Sequence, residues 1–454
     1  MSSCIFFCTQ SAHSRGGVET WLDRLTGFLQ TKERECIVGL SRANVFHLPA
    51  VYRQHHPLLK TVEFDGRSGT QRGRIDSIKR VLRRIRPSVV VVTAMVDALQ
   101  AIAELKEELD GVAPRCVCVA HGIGANVFSD FRHYAEIIDA GVGISRLGKQ
   151  LFERWVCLPP DRCFHITNGA NPCEPQVANQ MGHRTSSRFR VGYVGRLEQY
   201  EKQALDIVEV VKALRLSGAE FEFEITGDGP LRSHLETELQ SEVRLGIVTF
   251  TGWVDENRLR SDIYPVLDAI VNFSPAEGSC PPITIAEAMH FGVVPVMARF
   301  LGLNAENRFV DGENCLLFSV SNTADAAEQL QHLISDHELK LRVSNAAREH
   351  ARQHLDLNLQ LNHWKAAIEL TERAPLRIAT GLRAPNSIPS GRLERRGIPG
   401  GIASVLRWTA GRRQTPGEPG AEWPHCSTWP RNIQQQFEET VIAADSEHDT
   451  LGSL

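Results

Sequence analysis

Between Cys4 and Thr167, short apolar β-branched runs alternate with longer stretches whose apolar positions recur every three to four residues. The runs are Cys4–Cys8, Ser88–Thr93, Arg115–Ala120 and Ala140–Ile144; the periodic stretches include Gly17–Leu29, Arg74–Ile85, Ala98–Leu109 and Leu147–Val156. A run apolar at nearly every position predicts a strand covered on both faces, and a 3.6-residue stripe predicts a helix with one buried side. Their alternation predicts a parallel sheet flanked by helices. Residues 171–188, with Pro172, Pro175, Gly182 and a polar run, break the pattern and read as a linker. A second series then begins, with strands at Arg190–Val194, Phe221–Thr226, Val248–Thr251, Ala269–Phe273 and Val293–Met297 and helices such as Ala204–Leu214 and Ile283–His290. The expected fold class is α/β: two Rossmann-like, doubly wound parallel-sheet domains, residues 1–170 and 189–355, facing a cleft. Ligands in such sheets bind outside the carboxyl ends of the strands, so the loops there are the places to search.

After the helical stretch Leu357–Leu370 the composition shifts. Residues 371–454 hold nine Gly and eight Pro in 84 positions, with nine Arg against two Glu up to Arg413 and seven acidic residues against Arg431 alone afterwards. This segment is expected to be a disordered, charge-blocked tail. Elsewhere the balance is ordinary: Lys+Arg 50 against Asp+Glu 54 gives a net charge of −4, which argues against a chain built to hold nucleic acid. The amino terminus has no basic segment, and Cys4–Cys8 is too short for a signal peptide or a span, so a cytoplasmic location is expected. The 11 cysteines are scattered, with Cys4/Cys8 and Cys116/Cys118 inside apolar runs, as buried thiols of a reducing compartment would be. No Asp-x-Asp pair is present, so neither a catalytic metal nor a cofactor is expected.

Five loops carry candidate chemistry. Arg15-Gly16-Gly17-Val18-Glu19 follows the first strand and leads into a helix, where glycines let the backbone approach an anion and the helix start offers free N–H groups; a tight turn explains the glycines equally well. His121-Gly122 follows the strand ending at Ala120, where an imidazole could donate to a phosphate or polarise a sugar hydroxyl, or equally serve only structure. In the second domain Gly195-Arg196-Leu197 follows a strand and Lys202 follows six residues after Arg196; the two cations suit a diphosphate, Arg as a bidentate donor and Lys as a point charge. Gly227-Asp228-Gly229-Pro230 makes a sharp strand-to-helix turn. Densest is Ser274 to Met289: a loop carrying Glu277, Gly278, Ser279 and Cys280 ends at Pro281-Pro282, and the helix beyond it carries Glu287. Helix amides there suit phosphate oxygens, and the carboxylates suit neighbouring hydroxyls of a sugar or ribose.

In order and spacing these motifs, together with Gly292-x-x-Pro295-Val296, resemble the retaining family-4 glycosyltransferases of the GT-B fold, over residues 1 to about 370. The resemblance implies metal-independent transfer of a sugar from a nucleotide-sugar donor to an acceptor hydroxyl, glycan or lipid-linked, as in polysaccharide biosynthesis. It implies that Arg196 and Lys202 bind the leaving diphosphate, that Gly16 and Gly17 let the first-domain loop approach the phosphate, and that Gly278, Ser279 and Cys280 line the donor. His121 would meet the transferred sugar, Glu277 its hydroxyls and Glu287 the ribose diol. It also implies that the helix over 356–370 crosses back to the first domain. The spacing departs from the family: Glu277 and Glu287 enclose nine residues, two more than usual. Either the Pro281-Pro282 loop bulges and Glu277 keeps its role, which is favoured, or Ser279 takes the strict register.

Other readings compete. Gly143-Ile144-Ser145-Arg146-Leu147-Gly148-Lys149-Gln150 nearly spells a P-loop but lacks the Ser or Thr after its Lys, and Ser145 reads better as a helix cap. The basic stripe of Arg72–Arg86 suits an anionic membrane, though a helix packed on the first sheet is the simpler reading. A sugar-nucleotide epimerase, or a noncatalytic nucleotide-binding scaffold, would share the architecture.

Overall fold

The computed structural model describes residues 4–9, 17–42, 49–65, 71–109, 112–174, 188–385 and 426–446, with scattered positions between 393 and 410. The chain divides into two compact units: residues 1–166 with 361–444, and residues 167–360 with 445–454.

In the first unit seven parallel strands are ordered β3-β2-β1-β4-β5-β6-β7: β1 Cys4–Thr9, β2 Glu35–Arg42, β3 Thr61–Asp65, β4 Val89–Thr93, β5 Arg115–Ala120, β6 Ala140–Gly143 and β7 Cys163–His165. β1 and β4 are buried along their whole length, which is why their sequences show no alternation. The helices are α1 Gly17–Thr31, α2 Pro49–His55, α3 Gln71–Ile85, α4 Val96–Leu109, α5 Ala125–His133 and α6 Arg146–Arg154. Part of the basic stripe of Arg72–Arg86 meets carboxylates, while Arg80, Arg84 and Arg86 are exposed. Arg74 pairs with Asp97 at 2.6 Å with both buried, Lys79 with Glu104 at 2.8 Å and with Glu108, and Arg83 also with Glu108. The near-P-loop is a close-packed turn: Ser145 Oγ accepts from Gly148 N at 3.1 Å, and a Cβ on Gly143 would lie 2.2 Å from Lys149 N, so no phosphate fits there.

The second unit holds six parallel strands ordered β10-β9-β8-β11-β12-β13: β8 Phe189–Val194, β9 Phe221–Thr226, β10 Val248–Gly252, β11 Ala269–Asn272, β12 Val294–Ala298 and β13 Leu316–Phe318. Its helices are α7 Asp206–Leu216, α8 Arg232–Glu238, α9 Gln240–Arg244, α10 Glu256–Arg258, α11 Ile283–His290, α12 Leu303–Glu306, α13 Thr323–Ser335 and α14 His337–His354. Two apolar layers cover the sheet. One gathers Val191, Phe223 and Val296 with Val210, Val211 and Leu330, and the other gathers Ile270, Met297 and Leu317 with Ile285, Met289 and Ala347. α15, Leu357–Arg373, begins in the second unit and continues in the first.

The tail departs from expectation where it is described. Beyond α15 the chain runs against the first unit, with Arg377 N donating to Asp139 at 2.9 Å and Lys106 Nζ donating to the Arg377 carbonyl at 2.9 Å. Residues Arg431–Ser446 form α16. It docks by Phe437, stacked on Phe128 at 5.6 Å and edge-on to Trp155 at 5.4 Å. Just before it, Ser427 N and Trp429 Nε1 donate to the buried Asp130 at 2.8 and 3.0 Å. Gly and Pro averaged over 84 positions point to disorder, and that average hides a Gly- and Pro-free final stretch whose Ile433, Phe437 and Val441 repeat every fourth residue. The expected linker is described only over its first four residues; 175–187 lie outside the described residues.

Candidate active site

In the second unit the chain winds from β8 outward to β9 and β10, then returns to place β11 on the other side of β8. The crevice between the carboxyl ends of β8 and β11 is therefore the topological switch point of the sheet, where loops diverge and leave room for a ligand. The loop after β8 brings Arg196 and Lys202; the loop after β11 brings Ser274 to Cys280.

These two loops meet. Lys202 Nζ donates to Glu277 Oε1 at 2.6 Å and to Ser274 Oγ at 3.4 Å, while Asn272 Nδ2 donates to the same Oε1 at 3.3 Å. Asn272 Oδ1 accepts from Ser274 N, which fixes the amide. The Lys202 and Glu277 side chains are 21% and 10% exposed, so this pair sits inside the crevice mouth where the local dielectric is low. Arg196 is different: its guanidinium is half exposed and pairs with Glu201, an arrangement that holds a long side chain only weakly. Its backbone is held firmly, the carbonyl accepting from Tyr193 Oη at 2.8 Å.

The Gly227-Asp228-Gly229 turn builds the platform under Arg196. Gly195 N donates to Thr226 O at 3.0 Å and Leu197 N to Asp228 O at 2.9 Å. A Cβ on Gly227, whose φ is +140°, would lie 1.9 Å from Gly195 O, and one on Gly229 would lie 2.4 Å from Leu197 O. These glycines serve close backbone approach.

In the loop after β11, Glu277 and not Ser279 reaches Lys202; Ser279 and Cys280 are buried, and the Cys280 carbonyl accepts from Thr167 Oγ1 at 3.1 Å. Gly278 is half-buried between them. Glu287 is buried on α11, with Oε2 accepting from Tyr264 Oη at 2.8 Å.

In the first unit Gly17 is the exposed first residue of α1, and Gly16 lies outside the described residues. His121 stands at the carboxyl end of β5, edge-on to Trp21 at 4.6 Å, and Trp21 in turn meets Trp364 at 5.4 Å and Phe7 at 6.1 Å. His121 Nε2 has no protein partner among the described residues, and burial pushes the imidazole down to about 4. A neutral ring with an unpartnered nitrogen is equipped to hydrogen-bond a ligand hydroxyl.

Residues 188–336 match the family Glycosyl transferases group 1. The matched stretch lies within the second unit and is similar to group 1 glycosyl transferases. The match contains Arg196, Lys202, Glu277 to Cys280 and Glu287, and leaves out Gly16, Gly17, His121 and the tail. Solved structures extend the likeness to the fold of the chain. HepE from Anabaena, in complex with UDP, is 17% identical with a TM-score of 0.64, covering 81% of this chain and 99% of its own. A glycosyltransferase from Rickettsia africae is 15% identical with a TM-score of 0.62, covering 82% and 100%. Sucrose-phosphate synthase from Thermosynechococcus elongatus is 14% identical with a TM-score of 0.64, covering 81% and 98%. No curated protein matches by sequence. The chain thus has the GT-B fold of these glycosyltransferases.

Sequence reasoning does not assign Asn272, Ser274 or Tyr193 to the candidate site. Asn272 carried a usable signal, as the single polar residue closing the apolar run Ala269–Val271 at the end where ligands bind. Ser274 carried none, since only the pairing of β8 beside β11 brings it to Lys202, and Tyr193 reads as one apolar position of β8 although its hydroxyl donates to the Arg196 carbonyl just beyond the strand. Among the described residues no helix is long and apolar enough to cross a membrane.

Proposed function

We propose that this protein transfers a sugar from a nucleoside diphosphate sugar to an acceptor hydroxyl, with retention at the anomeric carbon and with side-chain cations in place of a metal ion. The observation that carries the reading is the Lys202–Glu277 pair at the switch point, with Arg196 on the adjoining loop. Cleavage of the anomeric C–O bond leaves negative charge on the departing diphosphate. Lys202 lies in the crevice and Arg196 is loosely enough held to swing onto it, so two cations meet that charge in a drier site. Once Lys202 turns to phosphate, Glu277 is released to accept from sugar hydroxyls while Asn272 keeps its orientation. Glu287, braced by Tyr264, is assigned the ribose diol, Gly278 to Cys280 the phosphate-facing loop wall, and neutral His121 a hydroxyl of the transferred sugar. HepE, which shares the fold, was solved with UDP, which supports a nucleotide donor here. Arg74, Lys79 and Arg83 of the basic stripe pair with carboxylates, and a peripheral contact of the exposed Arg80, Arg84 and Arg86 with an anionic membrane stays a separate proposal.

Calorimetry with UDP, GDP, ADP and their sugar conjugates tests this. One diphosphate should bind, and Lys202→Ala with Arg196→Ala should abolish binding. Lys202→Ala alone should lower turnover by about 10²–10³. Wild-type protein that binds none of them overturns the reading. Interconversion of the sugar nucleotide without an acceptor would indicate an epimerase instead.

A further inference from the structure

The loop carrying Glu277 is braced from behind by the loop that follows β12, Arg299 to Glu306. Leu301 N donates to Pro275 O at 3.1 Å, and Ala276 and Leu301 form an isolated parallel bridge, so the neighbour of Glu277 is held by this second loop. What holds the second loop comes from far along the chain. Asp445, in the last turn of α16, accepts from Gly302 N at 3.1 Å through Oδ2 and from Ala305 N at 2.9 Å through Oδ1. Its side chain is buried, and Gly302 takes the left-handed conformation, φ +100°, that presents its N–H to the carboxylate. A two-oxygen carboxylate on two backbone N–H groups is a charge-assisted clamp, stronger than a neutral pair.

We infer that Asp445 is a positioning residue for the proposed donor site: through Gly302, Ala305 and Leu301 it fixes the backbone at Pro275-Ala276 and so the reach of Glu277 to Lys202. The inference rests on the reading of Glu277 as a sugar-contacting group. It assigns a role in the site to a residue more than 100 positions beyond the matched domain, which ends at residue 336. Without the clamp two buried N–H groups lose their acceptor, and a loop in that state shifts to recover hydrogen bonds from water.

The test uses the full chain with Asp445→Ala and Asp445→Asn, read by amide hydrogen exchange and by calorimetry with UDP, GDP and ADP and their sugar conjugates. In Asp445→Ala, residues 299–306 and then Ala276 to Ser279 should lose exchange protection. The bound sugar conjugate should weaken by about tenfold or more. The bare diphosphate, which does not need Glu277, should weaken less. Asp445→Asn keeps one acceptor oxygen and should fall between. Lys202→Ala with Arg196→Ala should abolish binding while leaving the Gly302 and Ala305 amides protected. If Asp445→Ala folds with wild-type protection at Ala276–Ser279 and wild-type preference for the sugar conjugate, the inference is wrong. If wild type binds no nucleotide, the transfer reading fails, and positioning is then decided by exchange at Ala276–Ser279 alone.

Discussion

At the scale of single residues, the proposed donor site is a set of charges paired with one another. Lys202 is held by Glu277 and Ser274, and Arg196 by Glu201, so binding exchanges one set of partners for another rather than exposing bare charge. His121 follows a different logic, because burial alone keeps it neutral down to about pH 4. In the unfolded chain its ordinary value is about 6.5, so between the two values the unfolded state holds a proton the folded state refuses. Its contribution to stability is complete above pH 6.5 and is lost as pH falls toward 4. Urea unfolding across that window should show stability dropping less steeply in His121→Gln than in wild type; His350, also held at about 4, and His290 add to the slope of both. A ring-carbon titration placing His121 near 6.5 in the folded protein would remove the basis for its proposed role. Which residues could be read in advance follows from this logic too. Arg196 and Glu277 are charges in the loops just after apolar strands, where charge is conspicuous, and Lys202 follows in the first of these loops, whereas Glu287 lies within α11 and is singled out by the motif it belongs to. Trp21, which packs His121, is an ordinary apolar position of an amphipathic helix, and nothing in the sequence distinguishes it from core.

At the scale of elements, β1, β4, β5, β6, β8, β9, β10, β11 and β12 fall within one or two residues of their expected ranges. β1, β4, β6, β11 and β12 are buried along their length and read as short apolar runs bounded by turn residues, whereas β9 alternates in burial and the edge strand β10 is partly exposed, so those two are legible from β-branched and aromatic residues between turns. β7 and β13, with three residues each, are too short to carry a pattern, and the edge strand β3 has its apolar run cut by Glu63 and Asp65. β2 contains Cys36-Ile37-Val38-Gly39-Leu40, where Gly39 interrupts the run; Phe64 and Phe6 rings occupy the space of its missing side chain. Turns are legible as turns, and their purpose emerges only where two of them touch. Gly227 is the sharpest case, because its Cβ would overlap the Gly195 carbonyl and its φ of +140° disfavours any side chain. Gly227→Ala should cost about 1–3 kcal/mol from backbone strain, and more from the overlap. Its effect should concentrate on diphosphate binding through the displaced Arg196. A variant with wild-type affinity would show that the platform does not position Arg196.

At the scale of the molecule, the tail decides how far the protein extends beyond the stretch similar to group 1 glycosyl transferases. Charge blocks and scattered Gly and Pro are features of solvated chain, yet they bear only on the segments that contain them. α16 has neither Gly nor Pro, and its apolar stripe is completed by Phe128 and Trp155. Phe128 lies on α5, the helix that begins four residues after His121, and it also meets Phe131 at 5.8 Å and Phe152 at 5.3 Å. Phe437 is therefore the outer member of an aromatic cluster belonging to the first unit, and is buried as completely as a core residue. Were the tail an appendage, Phe437→Ala would change stability by no more than about 0.5 kcal/mol, as surface substitutions do. As a core position it should cost about 3–5 kcal/mol, measured by urea unfolding followed through tryptophan fluorescence, since Trp155 borders the vacated space. The same substitution should speed proteolytic cleavage within residues 426–446. Near-wild-type stability would mean that α16 packs without contributing, and that the first unit ends before it.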